Sequence, residues 1–173
     1  MDATELRELQ RPLKKQYKED PESALVTLHA IGQVEGVTCK VETHEAMVEA
    51  GLHPATGGDG QAACSGDMLL EALVACAGVT LGSVATALGM ELSKGVVSAE
   101  GEVDFRGTLG VSKEVPVGFT SIRLHYDLET DAPEEQIKRL IELTERYCVV
   151  YQTISGGVEV QVSHSAKQLS VSD

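Results

Sequence analysis

The feature that most constrains this chain is an uncharged stretch of 19 residues, from Ala72 to Met90. It consists almost entirely of Ala, Gly, Val, Leu, Thr and Ser, and it contains Cys76. Cys76 lies on one helical stripe with Leu69 and Leu73, so the sequence predicts a long buried helix over Ser65 to Met90. The small residues around the thiol would let another backbone approach it closely.

The length of this apolar run also raises the alternative of a membrane span. As a helix it would be about 28 Å long, which is close to the thickness of a bilayer core. Its flanks, however, are acidic, with Asp67 and Glu71 before it and Glu91 after it, and strand patterns surround it. We therefore expect a central helix covered on all sides by protein, and no membrane association.

The composition limits the classes of partner. A chain of 173 residues is long enough for one domain with a real core. With 14 Lys and Arg against 27 Asp and Glu, the net charge is -13, which disfavours binding to nucleic acid or to anionic membranes. We expect neutral molecules or a second copy of the chain as partners. The N-terminus lacks the apolar core of a secretory signal, which predicts a cytoplasmic protein.

The four cysteines, Cys39, Cys64, Cys76 and Cys148, are widely spaced. This spacing argues against a disulfide scaffold and leaves catalysis, redox sensing or simple packing as their roles. The chain has no CxxC pair and no clustered Cys and His spacing, so we expect no structural zinc and no other cofactor.

Before the central helix, the sequence predicts one outer helix and one hairpin. Residues 2–19 carry leucines at helical spacing, with a break or kink expected at Pro12. Residues 24–32 and 36–43 alternate apolar and polar side chains around a turn, which is typical of a hairpin. The Gly-rich stretch from Gly51 to Ser65 is expected to be a loop, and it lacks the spacing of a phosphate-binding motif.

Two half-buried strands are predicted after the central helix. Residues 96–107 and 118–130 both alternate apolar and polar positions, with a connecting loop between them. At the start of the central helix, Ser65 or Asp67 is expected to provide the cap.

A second helix is predicted over residues 131–148, beginning with a capping box at Asp131. Cys148 ends the apolar stripe of this helix and is expected to face inward. Residues 149–157 are interpreted as a turn, and residues 158–163 as a last strand. The order of elements indicates an α+β fold in which each of the two main helices carries one inward cysteine.

Three stretches resemble a known family, the OsmC/Ohr family of osmotically inducible and organic hydroperoxide resistance proteins. They are GGDGQAACSGDMLLEALVACAGVTL, GFTSIRLHYDLETDAPEEQIKRLIELTERYC and CVVYQTISGGVEV. The resemblance divides the chain into an N-terminal helical extension (1–19), an OsmC-like domain (20–165) and a polar tail (166–173). It implies an OsmC-like α+β fold, with antiparallel sheets wrapped around two central helices in an intertwined homodimer and active sites at the subunit interface.

The resemblance also implies a reaction, the cysteine-dependent reduction of organic hydroperoxides. In active members of the family, the cysteine of the central helix attacks the peroxide and the cysteine of the second helix resolves it. By position these are Cys76 and Cys148. The product of the first step is a sulfenic acid, which condenses with the second thiol to a disulfide. An external dithiol, for example of the lipoyl type, would then reduce that bond.

Three positions depart from the family pattern. Family peroxidases have a glutamate ten residues before the first cysteine, where this chain has Gly66, with Asp67 next to it. The family's activating arginine comes from the early strands, but this chain has no arginine between Arg11 and Arg106. Val149 stands where a proline usually follows the second cysteine. Asp67 and Glu71 are the candidates to orient a cation beside the first cysteine, and Asp67 is favoured because Glu71, five residues before Cys76, does not share its helical face.

The residues leave open which group activates Cys76, whether Cys64 can pair with it, and whether the protein is an enzyme. An apolar site raises the pKa of a thiol, so Cys76 needs an activating group. The candidate cations are Arg106, Arg123, Lys40 and the N-terminal lysines. Cys64 is an alternative partner for Cys76. The alternative function is a non-enzymatic dimeric OsmC-like protein that binds a small apolar ligand or senses the redox state.

Overall fold

The computed structural model describes residues 2–20, Ser23, 32–35, 38–42 and 47–166. Most of the first predicted strand, residues 24–31, lies outside this part of the chain. So does most of the predicted polar tail, from residue 167 onward.

The chain begins with helix α1, Ala3–Glu19. A capping box starts it: the Asp2 carboxylate accepts hydrogen bonds from two backbone N–H groups of the first turn, and the Glu5 carboxylate accepts one from the Asp2 N–H. The helix continues through Pro12, so the expected break at this residue is wrong. A proline removes only one helical hydrogen bond, and the contact of α1 with the central helix supports the rest.

The first sheet has four short strands in the order β1 (Gly32–Glu35), β2 (Thr38–Glu42), β3 (Met47–Gly51) and β4 (Ala63–Cys64). Strands β1, β2 and β3 pair antiparallel, whereas β3 and β4 pair parallel. The predicted hairpin is confirmed for its second strand. The structure adds β3 and β4 at the two ends of the predicted loop, and only a 3₁₀ turn at Pro54–Thr56 is regular between them.

The central helix, α2, spans Ser65–Leu88 and confirms the long helix predicted from the uncharged stretch. Its N-cap is Cys64, with no side-chain cap hydrogen bond, so the caps expected at Ser65 or Asp67 are wrong. Asp67 still lies in the first turn, where a negative charge complements the helix dipole. The helix ends at Gly89, which adopts the left-handed conformation (φ +68°) that favours glycine.

The second sheet pairs β5 (Lys94–Val103) with β6 (Phe119–Glu129) in antiparallel register. Along both strands burial alternates as predicted, with one face toward α2 and the other in solvent. The first strand ends earlier than expected. The Asp104 carboxylate accepts a hydrogen bond from the Arg106 N–H, and the chain turns into a short helix, α3 (Phe105–Thr108).

Two consecutive helices follow, α4 (Glu134–Tyr147) and α5 (Val149–Gly156). The capping box expected at Asp131 is wrong, because α4 starts after Pro133, which makes no side-chain cap hydrogen bond. Residues 149–157 were expected to form a turn, and α5 occupies most of them instead.

The strand predicted over residues 158–163 is wrong for the single chain. Residues 157–166 form no regular structure, although their valines alternate along the sequence. Val158, Val160 and Val162 have 64%, 80% and 90% of their surface exposed. No strand in the described part of the chain lies beside them to complete a sheet.

The core is centred on α2 and α4. Leu81, Val84, Ala85 and Leu140 form its buried cluster, and side chains from both strands of the second sheet pack against it. By length and composition α2 is the one helix in the described residues that could cross a membrane. It contacts α1, α4, α5 and β5, but Val79 remains 74% exposed. Within one chain, therefore, α2 is not covered on all sides as expected.

Replacing Tyr126 by phenylalanine is expected to leave the free energy of unfolding unchanged or to raise it by up to about 1 kcal/mol. The Tyr126 hydroxyl is buried and has no hydrogen-bond partner among the described residues, and burial raises the pKa of Tyr126 to about 12. Thr144→Val is the matched control, since the buried Thr144 hydroxyl donates to the Leu140 carbonyl at 2.8 Å. Urea unfolding should show a loss of stability for Thr144→Val only. A larger loss for Tyr126→Phe would contradict this assignment.

Candidate functional site

The candidate site is formed by two cysteines from different elements. Cys76 lies in the middle of α2 and is partly exposed, whereas Cys148 is fully buried at the junction of α4 and α5. Cys148 is at once the C-cap of α4 and the N-cap of α5. Each thiol affects the pKa of the other, so the structure brings the two predicted thiols together.

The N-terminus of α5 points at the Cys76 sulfur. Backbone N–H groups of Val150 and Val149 both donate to it, as does the thiol of Cys148. The first N–H groups of a helix have no partner inside the helix, and their dipoles favour a negative charge. The Thr80 hydroxyl donates to the Cys76 carbonyl at 2.8 Å and also lies within reach of the sulfur. Having one proton, it can serve only one of these acceptors at a time.

These donors determine the ionisation of Cys76. Burial by itself raises the pKa of the thiol, but the hydrogen bonds from Val150, Cys148, Val149 and Thr80 outweigh burial and hold the pKa below the ordinary value. Among the described residues, no lysine or arginine contributes to this lowering. Within the described part of one chain, the groups that lower the pKa of Cys76 are neutral hydrogen-bond donors, while a cation supplied across a subunit interface stays a prediction.

Two of the candidate cations form ion pairs elsewhere, and the side chain of a third lies outside the described residues. Arg106 pairs with Asp104, and Arg123 reaches Glu102 at 2.9 Å across the exposed face of the second sheet. The side chain of Lys40 lies outside the described part of the structure. Of the N-terminal lysines, Lys14 lines a cavity that also includes Thr80.

Cys148 has the opposite environment to Cys76. Burial raises the pKa of its thiol, and the neighbouring Cys76 raises it further. A hydrogen bond from the Tyr151 N–H to the Cys148 sulfur, at 3.4 Å, acts against this without reversing it. The site therefore contains one thiol whose pKa is lowered beside one whose pKa is raised.

Asp67 and Cys64 lie at the other end of α2. They line a separate cavity of about 370 Å³, where the rings of His53 and Phe105 stack 4.7 Å apart. Asp67 is nine residues before Cys76 on one continuous helix, which corresponds to about 13 Å along its axis. Cys64 is a further three residues away, whereas a disulfide needs Cα atoms within about 7 Å. The structure therefore brings neither residue to Cys76.

The feature that sequence reasoning missed is α5. The family pattern contains a signal for this helix. The residue after Cys148 is the first residue of α5, and proline, the usual family residue there, is favoured at the first position of a helix. The proline that usually follows the second cysteine in the family marks this helix start. In this chain Val149 occupies the position and supplies an N–H group that a proline would lack.

The described residues contain no group of three or more His, Cys, Asp or Glu side chains that could hold a metal ion.

Comparison with known proteins places this site in a family context. The family model described as OsmC-like protein matches residues 58–163, which include both cysteines. No curated protein sequence matches the chain.

Several solved structures share the fold. An OsmC-like protein from Mycoplasma pneumoniae has a TM-score of 0.64 at 16% identity, covering 76% of this chain and 89% of its own. An organic hydroperoxide resistance protein from Elizabethkingia anophelis has a TM-score of 0.62 at 18% identity, and the match covers 79% of this chain and 93% of that protein. The organic hydroperoxide resistance protein OsmC from Legionella pneumophila has a TM-score of 0.61 at 21% identity, and the match covers 80% of this chain and 96% of that protein. These similarities establish the α+β fold of the chain.

Replacing Val149 by proline is expected to raise the pKa of Cys76. Proline is tolerated at the first position of a helix, and the extended conformation of Cys148 before it is compatible with a following proline, so the change removes one N–H donor and leaves α5 in place. Below the pKa less Cys76 would then be thiolate, and its rate of alkylation by iodoacetamide at neutral pH should fall roughly three- to tenfold. Mass spectrometry of Cys76 over a pH series measures this.

The control for this experiment is Val149→Ala, which keeps the N–H group. The Val149 side chain is 69% exposed, so its loss should change the reactivity of Cys76 little. Equal alkylation rates for the proline and alanine variants would show that the Val149 N–H does not activate the thiol.

Proposed function

Since the chain belongs to the OsmC-like protein family, we propose that it reduces organic hydroperoxides by means of Cys76 and Cys148. The observation that carries this proposal is the proximity of the two thiols at the start of α5, with the pKa of Cys76 lowered and that of Cys148 raised. A thiol peroxidase needs this division, because the thiolate attacks the peroxide and the second thiol is held back for the next step.

The reaction begins at the Cys76 thiolate. Its sulfur attacks the terminal oxygen of the hydroperoxide, the O–O bond breaks, and the departing alkoxide takes up a proton and leaves as an alcohol. Cys76 is thereby oxidised to a sulfenic acid. The N–H groups of Val149 and Val150 stabilise the negative sulfur before attack and are placed to stabilise the anionic sulfenate after it.

The second step uses Cys148. Its sulfur attacks the Cys76 sulfenic sulfur, and the hydroxyl leaves as water with the proton of the Cys148 thiol, so that a disulfide forms. The two thiols already affect each other's pKa in the reduced protein, so they lie close together before oxidation. An external dithiol, for example of the lipoyl type, supplies the two electrons that reduce the disulfide. This cycle requires a reducing compartment, in keeping with a cytoplasmic location.

Titration of the reduced protein with an organic hydroperoxide tests this function. One equivalent is expected to consume two thiols rapidly and to join Cys76 to Cys148, as mapped by mass spectrometry. In Cys148→Ser the reaction should stop at a Cys76 sulfenic acid, which dimedone traps. Cys64→Ser is the control and should behave as the wild type, because Cys64 lies twelve residues from Cys76 along α2.

Two outcomes would speak against the proposal. If all thiols persist in excess hydroperoxide, Cys76 is an inert packed residue. If the protein is oxidised once but does not turn over with a dithiol, the non-enzymatic alternative, a redox sensor or a binding protein for a small apolar ligand, becomes the better assignment.

We extend the proposal to a homodimer, which the resemblance implied. The single chain leaves many large apolar side chains of the described residues exposed. Part of the exposed surface is the row formed by Val158, Val160 and Val162, whose alternation is typical of a strand. A second copy of the chain could pair with this row and cover it.

Replacing Val160 by aspartate is expected to weaken the dimer. The side chain is 80% exposed in the single chain, so a charge there costs an isolated subunit little, whereas burial in a subunit interface would be unfavourable. Light scattering coupled to size exclusion should give twice 18.4 kDa for the wild type and a concentration-dependent lower mass for the variant.

The matched control is Val111→Asp, since Val111 is 73% exposed in the loop after α3 and is expected to leave the dimer intact. A monomeric wild type, or a Val160→Asp dimer as stable as the wild type, would exclude the C-terminal row from an interface.

A further inference from the structure

A cavity lies at the start of α2, away from Cys76 and Cys148, between the 3₁₀ turn, α3 and the second sheet. It has two adjoining parts, of about 370 Å³ and about 280 Å³. Together the two parts reach the size of binding sites for small organic molecules. The residues that line both parts are His53, Cys64, Gly66, Val103, Phe105 and Phe119.

The wall of this cavity is aromatic, although the chain has few aromatic residues. Phe105 and Phe119 are the only two phenylalanines in the sequence, and both line both parts of the cavity. The His53 ring stacks on the Phe105 ring, with 4.7 Å between the ring centroids and 14° between the ring planes. Rings collected in this way favour a ligand that itself carries a planar ring.

Two glycines leave room for the Phe119 ring at this wall. A Cβ atom at Gly101 of β5 would overlap the ring, and a Cβ atom at Gly66 of α2 would lie 3.5 Å from it. The ring therefore occupies space that side chains at these two positions would restrict. The absence of a side chain at Gly101 in particular allows Phe119 to form part of the cavity wall.

One end of the cavity is acidic. The carboxylates of Asp67 and Glu102 line the larger part and not the smaller one. Glu102 already pairs with Arg123 at 2.9 Å, whereas Asp67 forms no ion pair with the residues that the structure describes. The start of α2 carries only about half a positive charge, so it offsets the Asp67 carboxylate in part. The remaining negative charge suits an ammonium group.

The other end of the cavity is mainly apolar. Leu52 and Val117 line the smaller part only. The Thr56 hydroxyl, which also lines it, already donates to the His53 carbonyl at 2.8 Å. The cavity thus changes from apolar to acidic along its length, with the aromatic rings lining both parts.

We infer that this cavity binds a small aromatic amine, with its ring against Phe105 and Phe119 and its ammonium group at Asp67. The attraction between a cation and the faces of the phenyl rings adds to the ion pair. This site goes beyond the proposed function and does not depend on it, because Asp67 lies about 13 Å from Cys76 along the axis of α2.

Calorimetric titration with 2-phenylethylamine tests the inference. The wild type is expected to bind this amine more tightly than 2-phenylethanol, its neutral counterpart. Asp67→Asn should weaken the amine about fivefold and leave the alcohol unchanged, because it removes only an exposed ion pair. Phe119→Leu should weaken both probes roughly three- to tenfold, since both lose an aromatic contact.

The matched control is Glu71→Gln, since Glu71 is also an exposed carboxylate on α2 and lines neither part of the cavity. It should bind both probes as the wild type does. Asp67→Lys provides a reversal: it should disfavour the amine and favour 3-phenylpropionate. Equal weakening of the amine and the alcohol by Asp67→Asn, or no weakening of either, would overturn the inference.

A thiol variant separates this site from the proposed peroxidase. Cys76→Ser should reduce no hydroperoxide and yet bind 2-phenylethylamine as the wild type does. Loss of amine binding in Cys76→Ser would place the ligand at the thiols and contradict the inference. If the wild type reduces hydroperoxides but binds neither probe, the binding site fails and the peroxidase stands. If it binds the amine as described but reduces no hydroperoxide, the proposed function fails and the binding site stands.

Discussion

The interaction on which the site depends is the contact between the start of α5 and the sulfur of Cys76. Without it, burial would raise the pKa of the thiol, and α2 would carry an inert cysteine on an apolar stripe. Two N–H groups, from Val149 and Val150, change that outcome. Their position depends in turn on α4, which ends at Tyr147, and on the buried packing of α4 against α2. The core thus fixes the angle at which a short helix presents its amide groups.

Cys148 links these requirements in one residue. It closes α4, opens α5 and places its own thiol against Cys76. A residue in this position cannot move without displacing the amide groups that activate its partner, so the activating group and the second thiol are held as one unit. The complete burial of Cys148 also separates the two thiols chemically, because it raises the pKa of the second while that of the first is lowered.

The sequence predicted those parts of the fold in which periodicity extends over many residues. Helix α2, the alternating strands β5 and β6, and most of α4 were all found. Helix α5 was missed because it is only eight residues long and Gly156 and Gly157 suggested a turn. The strand predicted over residues 158–163 lacks a partner strand in the described chain, and sequence alternation does not say which chain provides one. The pairing of Cys76 with Cys148 was inferred from the resemblance, but the activating group was not, since backbone amides carry no residue-specific signal.

The missing glutamate and arginine of the family pattern are consistent with this kind of activation. A guanidinium beside a buried thiolate loses hydration and is favourable only if a carboxylate also holds it, so the two residues form one device and can be lost together. Backbone N–H groups at a helix start need no such partner, because the helix itself orients them. They also act at hydrogen-bond distance. The net charge of -13 repels a thiolate only diffusely, because charges beyond about 8 Å are screened at physiological salt, so this repulsion matters little beside a direct hydrogen bond. In the described part of this acidic chain, the pKa of Cys76 is therefore lowered by hydrogen-bond donors and not by a cation.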